Sequence, residues 1–147
     1  MKSLADQLLA PHHSREFEGD LVRLIETRIA AVSGLKGFGF KAALAAVQLN
    51  FPDAIPRAVH HLSPQIVAAL EPLHQEFRKQ SGGDFSAFLR QHSTRMTDAM
   101  MGVTDTRVER SKSTTLKSFY ASFHGFAQKE ISAGMPDLAK LIRSYLD

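Results

Sequence analysis

The sequence contains no cysteine and no long uninterrupted apolar run. Without cysteine the chain has no means of forming a disulfide framework, a thiolate zinc site or a cysteine nucleophile. The most apolar stretch, residues 38–49, is interrupted by Lys41 and Gln48 and falls short of the ~20 residues that a membrane span needs. Residues 1–10 lack the apolar core and cleavage site of a signal peptide. We therefore expect a cytoplasmic protein with no membrane partner.

No strong excess of either charge is present. The chain has 18 Lys and Arg against 15 Asp and Glu, a net charge of +3 at pH 7. The excess lies in residues 90–147, since residues 1–89 are balanced. This balance permits DNA as a partner but does not require it. A length of 147 residues with 44% hydrophobic content is typical of one globular domain, which we expect to span residues 1–147.

Apolar residues recur with helical spacing nearly everywhere, and no segment alternates with the period of a strand. The pattern predicts an all-α fold, a single-domain bundle of six or seven helices. One helix, over residues 38–49, is rich in small side chains that allow close helix contacts. We expect this Ala-rich helix to be central, touched on several sides through Ala42, Ala43, Ala45 and Ala46.

Proline, glycine and capping residues predict the helix boundaries. Ser63 followed by Pro64 predicts a helix start, and Pro72 predicts a kink or a restart of that helix. Asp84 is expected to cap a helix that continues to Val103.

Further along the chain, Ser113 or Thr114 is expected to cap the next long helix. Gly134 is expected to end that helix, and Pro136 to open the last one. These signals act over a few residues, so they can be recognised without knowledge of the tertiary structure.

Residues 32–43, VSGLKGFGFKAA, follow the pattern apolar-x-x-apolar-x-Gly-apolar-Gly-x-x-x-Ala. This segment resembles the helix-hairpin-helix element of DNA-binding proteins. The resemblance implies that the backbone at Gly37 and Gly39 contacts a DNA phosphate and that Phe38 is buried in the hairpin. Glycine permits the close approach, and a helix N-terminus supplies backbone donors to a phosphate.

Lys36 and Lys41 flank these glycines and would add positive charge to such a site. Lys36 also occupies the position at which that element usually has proline. The alternative interpretation is a glycine-containing turn between two packed helices that binds nothing.

Histidine is the residue type that most invites a catalytic or metal hypothesis. Glu71 and His74 have the spacing found in di-iron bundles, but no second Glu-x-x-His follows, so we predict no metal site. No nucleophile turn, phosphate loop or dinucleotide fingerprint is present, and therefore we assign no catalytic residue and no cofactor. His74 and His92 are candidates for a ligand pocket, the alternative being core histidines bonded to backbone carbonyls.

Basic residues concentrate in one short region, where Asp105 and Glu109 are interleaved with them. This region is a candidate anion-binding patch, the alternative being a solvated surface of mixed charge. The candidate residues are Arg107, Arg110, Lys112 and Lys117.

Aromatic residues in the following helix exceed what one buried stripe requires. One of them is therefore expected at a contact surface, which favours a protein partner or a homodimer. The residues are Phe119, Tyr120, Phe123 and Phe126.

The segments FPDAIPRAVHHLSPQIVAALEPLHQEF and HSTRMTDAMMGVTDTRVERS resemble an uncharacterised bacterial family of small all-helical proteins. The resemblance implies a helical domain and brings no activity with it. We interpret the chain as a non-catalytic binding or interaction module. Two alternatives remain open: binding to the DNA backbone through residues 36–41, and a small-ligand carrier or enzyme with a histidine-containing pocket.

Overall fold

Eight helices make up the part of the chain that the computed structural model describes, residues 3–80 and 82–146, and that part contains no strand. The helices are α1 Leu4–Leu8, α2 Ser14–Ala31, α3 Gly34–Asn50, α4 Ala54–Lys79, α5 Phe85–Gln91, α6 Ser93–Glu109, α7 Thr114–Ala133 and α8 Met135–Ser144. The all-α class predicted from apolar spacing is confirmed. The predicted number of helices, six or seven, is too low.

Several helix boundaries differ from the predicted ones, and α3 begins at Gly34 rather than at residue 38. α4 continues through Pro64 and Pro72, where the sequence predicts a start and a kink or restart. Both prolines are exposed, so the carbonyl groups that lose an N–H partner can bond water instead. The helix predicted from Asp84 to Val103 is divided into α5 and α6, because the backbone departs from helical geometry at His92.

α4 is the central helix of the fold. It contacts α1, α2, α5 and α6, and α5 packs in turn against α8. One face of α4 is buried, with the spacing of three and four residues expected of an amphipathic helix. The buried residues of α4 are Val59, Ser63, Val67, Leu70, Leu73 and His74. The core around this face is completed by Leu4, Leu8, Phe17, Phe85, Phe88, Leu89, Met96, Met135, Leu138, Ala139 and Ile142.

The Ala-rich helix, α3, lies at the edge of the bundle, so the prediction that it is central is wrong. Gly37 is its only buried residue. Phe40 attaches α3 to α7, where its ring lies 5.1 to 5.9 Å from three phenylalanine rings. Burying an alanine removes much less apolar area from water than burying a leucine, so α4 gains more than α3 from the central position.

The predicted capping residues are found where the sequence places them. Asp84 accepts a hydrogen bond from the Ser86 amide at the start of α5, and Ser113 accepts one from the Leu116 amide at the start of α7. Gly134 ends α7 as predicted. The hydrogen bonds to Asp84 and Ser113 satisfy backbone donors that a helix leaves unpaired in its first turn.

Candidate functional site

The predicted hairpin segment lies inside a helix. α3 begins at Gly34, so Gly37 and Gly39 belong to its first two turns, and only Val32 and Ser33 connect it to α2. Gly34 is the glycine that has a positive φ here, 80°. The prediction of a turn at Gly37 and Gly39 is therefore wrong, because the backbone conformation that requires glycine occurs one turn earlier.

Packing accounts for Gly37 without a ligand. A Cβ atom at this position would lie 3.3 Å from the backbone carbonyl carbon of Val32. Glycine therefore allows the start of α3 to approach the end of α2 closely. Phe38, which the resemblance places inside the hairpin, is 69% exposed.

The two lysines of the segment interact with their own chain. Lys36 Nζ donates to the Ser122 carbonyl at 3.1 Å and lies 5.2 Å from the centre of the Phe123 ring. Lys41 Nζ donates to the Ala30 carbonyl at 3.1 Å. The helical glycines and the lysine contacts do not form a turn whose backbone amides could bind a phosphate. DNA binding by this segment stays a prediction.

The outward face of α3 is apolar along nearly its whole length. Leu35 and Leu49, near its two ends, are 93% and 85% exposed, and Phe38 follows one turn after Leu35. Apart from Lys36, the exposed positions between these large side chains are small: Gly39, Ala42, Ala45 and Ala46. We call these large and small residues together the α3 face. An exposed apolar surface of this extent is typical of an interaction site.

The α3 face contains no acidic residue, since residues 27–52 include neither Asp nor Glu. Its lysines are directed to α2 and α7 by the contacts described above. Five members of the face follow the alternating spacing of three and four residues that defines a coiled-coil seam. They are Leu35, Phe38, Ala42, Ala45 and Leu49.

A cavity of about 390 Å³ is the second candidate site. This volume lies within the range of small-molecule pockets. The cavity combines two guanidinium groups with two phenyl rings, an amide and an imidazole. Its lining residues are Gln7, His74, Phe77, Arg78, Gly83, Phe85, Arg143 and Leu146.

His74 is the most buried polar group of this cavity, with 4% of its surface exposed. Its ring meets the Phe85 ring edge-on, with 5.3 Å between centres. His74 Nδ1 lies 3.6 Å from Glu71 Oε1 and makes no hydrogen bond to any residue that the structure describes. Burial lowers the pKa of His74, against the opposing effect of Glu71, so the imidazole is neutral at neutral pH.

A protein-family model matches residues 4–146, and it describes DUF6918, a family of unknown function. The chain belongs to the DUF6918 family. No curated protein and no solved structure gives a significant match. The resemblance to a family of small helical proteins is thus confirmed for the family and for the helical fold. Because the DUF6918 match spans all eight helices, both candidate sites lie inside it.

The two predicted pocket histidines of this DUF6918 chain are in different environments. His74 lies in the wall of the cavity, whereas His92 is outside its lining. His92 is half-buried at the junction of α5 and α6, where its ring is 4.4 Å from the Phe88 ring. Of the two, only His74 is placed where it could contact a ligand in the cavity.

The four residues of the predicted anion patch lie around the connection between α6 and α7. All four are exposed, and none forms an ion pair with another described residue. They are Arg107, Arg110, Lys112 and Lys117. Anion binding by this patch stays a prediction.

A polar contact beside this patch was not predicted from the sequence. Asp105 Oδ1 accepts a hydrogen bond from the Tyr120 hydroxyl at 2.5 Å and lies 3.0 Å from His124 Nε2. Burial, and then the Asp105 carboxylate, raise the pKa of Tyr120 above its ordinary value of 10, so the phenol keeps its proton. The contact joins α6 to α7.

Metal-ligand clusters and membrane-spanning helices are both absent from the described ranges, 3–80 and 82–146. Those ranges hold no group of three or more His, Asp or Glu that could hold a metal ion. Within the same ranges, no helix has both the length and the apolar character needed to cross a bilayer.

Sequence reasoning missed the α3 face and the cations of the cavity. The seam spacing of the face is visible in the sequence, but its apolar character favours burial, which is the opposite of what the structure shows. Arg78 and Arg143 are far apart in the chain and become neighbours of one cavity only through the packing of α4, α5 and α8. No local pattern could have paired them.

Proposed function

We propose that this protein is a non-catalytic interaction module that pairs with a second copy of itself through the α3 face. The observation that carries the proposal is the exposure of Leu35, Phe38 and Leu49 on a helix face without charge. Water contact with these side chains is unfavourable, and burial against a partner relieves it. The small residues between them let a second helix approach closely.

The α3 face is complementary to itself in an antiparallel arrangement. A two-fold axis at Ala42 places Leu35 of one copy opposite Leu49 of the other. The same axis places Phe38 opposite Ala46, so the largest side chain of the face meets one of the smallest. Such an isologous contact uses one surface twice and closes at a dimer.

The charges of α3 are compatible with the same arrangement. Lys36 of one copy lies opposite Gln48 of the other, so the lysines do not face each other. Antiparallel helices also bring opposite ends of their dipoles together. A parallel pair would instead place Phe38 against Phe38 and leave a gap between the alanines.

One helix pair gives a modest interface. α3 has 17 residues, which corresponds to a length of about 25 Å. Interfaces of this kind fall at the small end of the stable range, and we expect a dissociation constant on the order of micromolar.

Cysteine cross-linking tests the proposed pairing directly, because the chain has no cysteine of its own. We expect Ala42→Cys to form a disulfide-linked dimer under mild oxidation, since the axis brings the two copies of this position together. Leu35→Cys alone should not cross-link, whereas a mixture of Leu35→Cys and Leu49→Cys should. Ala58→Cys, at an exposed alanine of α4, is the control and should stay monomeric.

Sedimentation equilibrium provides the second arm of the test. Leu49→Glu should shift the protein to the monomer mass, while the same change at Leu116, an exposed leucine of α7, should not. A monomer mass for the unmodified protein up to ~100 μM, well above the expected micromolar constant, would overturn the proposal. Cross-linking of Leu35→Cys with itself would overturn the antiparallel geometry.

We place this module in the cytoplasm, which the absence of cysteine permits. Fractionation of cells that produce the protein, followed by immunoblotting, tests this location. Recovery in a membrane or extracellular fraction would contradict it.

A further inference from the structure

The cavity lined by His74 is formed by residues of α1, α4, α5 and α8 and takes no part in pairing through α3. We propose that this cavity binds a small organic carboxylate, with its apolar body against Phe77 and Phe85 and its carboxylate beside Arg78 and Arg143. The four side chains are brought together from the C-terminal half of α4, the first residue of α5 and the last turn of α8.

The apolar part of the site is a wall of two rings. Phe77 and Phe85 lie with ring centres 5.0 Å apart and planes inclined by 46°. Gly83, which also lines the cavity, has no side chain that would cover them. A planar or short aliphatic body can pack against such a wall, because aromatic faces and edges offer large apolar area.

Arg143 is positioned for an anion by a neighbouring carboxylate. Its Nε donates to Asp84 Oδ1 at 3.2 Å, and its two terminal nitrogens make no hydrogen bond to the described residues. The Asp84 carboxylate also accepts from the Ser86 amide and hydroxyl as the cap of α5. The charge of Asp84 is thus shared among three donors, which limits its repulsion of a bound anion.

Arg78 supplies the second cation, from the last turn of α4. Two guanidinium groups on one cavity suit a carboxylate, because each presents planar donors that match its two oxygens. Charge-assisted hydrogen bonds of this kind are stronger than those between neutral groups.

His74 forms part of the wall of this cavity. Its side chain is more than nine-tenths buried in the wall, and Nδ1 has no hydrogen-bond partner among the described residues. The nearby Glu71 carboxylate already accepts from the Leu4 amide at 2.8 Å and from Gln75 Nε2 at 2.5 Å. Nδ1 itself has almost no accessible surface, so His74 meets the cavity with its ring, and the polar contacts to a ligand come from the two arginines.

Fluorine NMR with 4-fluorophenylacetate tests the site, because this probe combines a ring with a carboxylate. We expect saturable binding, weakened about tenfold or more by Arg143→Gln or by Arg78→Gln through loss of a charge-assisted contact. Arg57→Gln removes the same charge from an exposed arginine at the other end of α4 and should leave the affinity unchanged. The neutral probe 4-fluorophenylacetamide should bind at least tenfold more weakly than the acid.

Circular dichroism checks that Arg143→Gln and Arg78→Gln are folded. If one of the two variants unfolds, the other still tests the contribution of an arginine to binding. Leu49→Glu should bind the probe as the unmodified protein does, which separates this site from the α3 face. Equal binding of the acid and the amide, equal effects of Arg143→Gln and Arg57→Gln, or no saturation at millimolar probe would each overturn the proposal. Displacement of the probe by inorganic phosphate at equal concentration would overturn the role of the rings.

Discussion

His74 is the residue whose chemistry depends most on its surroundings. It is buried against Phe85, with Glu71 beside it and Arg78 one turn further along α4. Burial and the Arg78 charge lower the pKa of the imidazole, while Glu71 acts in the opposite direction. Burial has the largest effect of the three, so protonation of His74 opposes folding.

The pH dependence of stability should reveal this effect. The unfolded chain binds a proton at His74 near its ordinary pKa of 6.5, and the folded chain binds it only at lower pH. The free energy of unfolding is therefore unaffected by His74 above this value and falls as the pH drops through it. Urea denaturation between about pH 7.5 and 5.5 should show a steeper loss for the unmodified protein than for His74→Gln.

The comparison with His74→Gln isolates one histidine from the other six, which are present in both proteins. The variant is expected to be less stable at every pH, because the amide replaces a ring packed on Phe85. Only the difference in slope matters for the test. Equal slopes would show that burial of His74 does not disfavour its charged form.

At the scale of a single helix, α3 contains two glycines that look equivalent in the sequence but differ in packing. Gly37 faces Val32, whereas a Cβ atom at Gly39 would have the Phe123 ring as its nearest neighbour, at 4.0 Å. Both have ordinary helical backbone, so neither requires glycine for its φ angle. The difference between them is the space available for a side chain.

We expect Gly39→Ala to stabilise the protein by about 0.5–1 kcal/mol, the usual gain from replacing glycine inside a helix. Gly37→Ala should gain less or lose stability, because its Cβ would lie 3.3 Å from the Val32 backbone. Both changes are best measured by urea denaturation in the Leu49→Glu background, where α3 pairing does not contribute. Equal gains at both positions would contradict the packing explanation.

At the scale of the whole molecule, the buried core that stabilises the fold surrounds α4, whereas α3 carries large apolar side chains exposed to water. Leu70 is 1% exposed within the core, while Leu49 is almost fully in contact with water. The two leucines therefore contribute differently to the stability of the fold, although both lie in long helices. The arrangement separates the part of the fold that holds it together from the part available to a partner.

Truncation of these two leucines should differ sharply in effect. Leu70→Ala is expected to lower the free energy of unfolding by about 2–5 kcal/mol, through lost burial and a residual cavity. Leu49→Ala should change it by no more than ~0.5 kcal/mol in the monomer, as for other exposed positions. Thermal or urea unfolding of dilute protein measures both, and a comparable loss at Leu49 would mean that α3 packs inward.

Much of the fold could be predicted from local patterns, but the candidate sites could not. The helical period and the caps at Asp84 and Ser113 operate within one or two turns. The sequence around Gly37 matches the residue pattern of the helix-hairpin-helix element, but the backbone there is helical and forms no hairpin. Pro72 was expected to disturb α4, yet its exposed position leaves the helix continuous.

The sequence by itself determined the all-α class and several helix ends, because hydrogen bonding and side-chain period are properties of neighbouring residues. Only the tertiary structure decided which apolar helix became the core. α4 and α3 both carry enough apolar surface, and the choice depended on how much area each could bury against the rest of the chain. The meeting of Arg78 with Arg143, and the exposure of Leu35 and Leu49, follow from that packing and from nothing local.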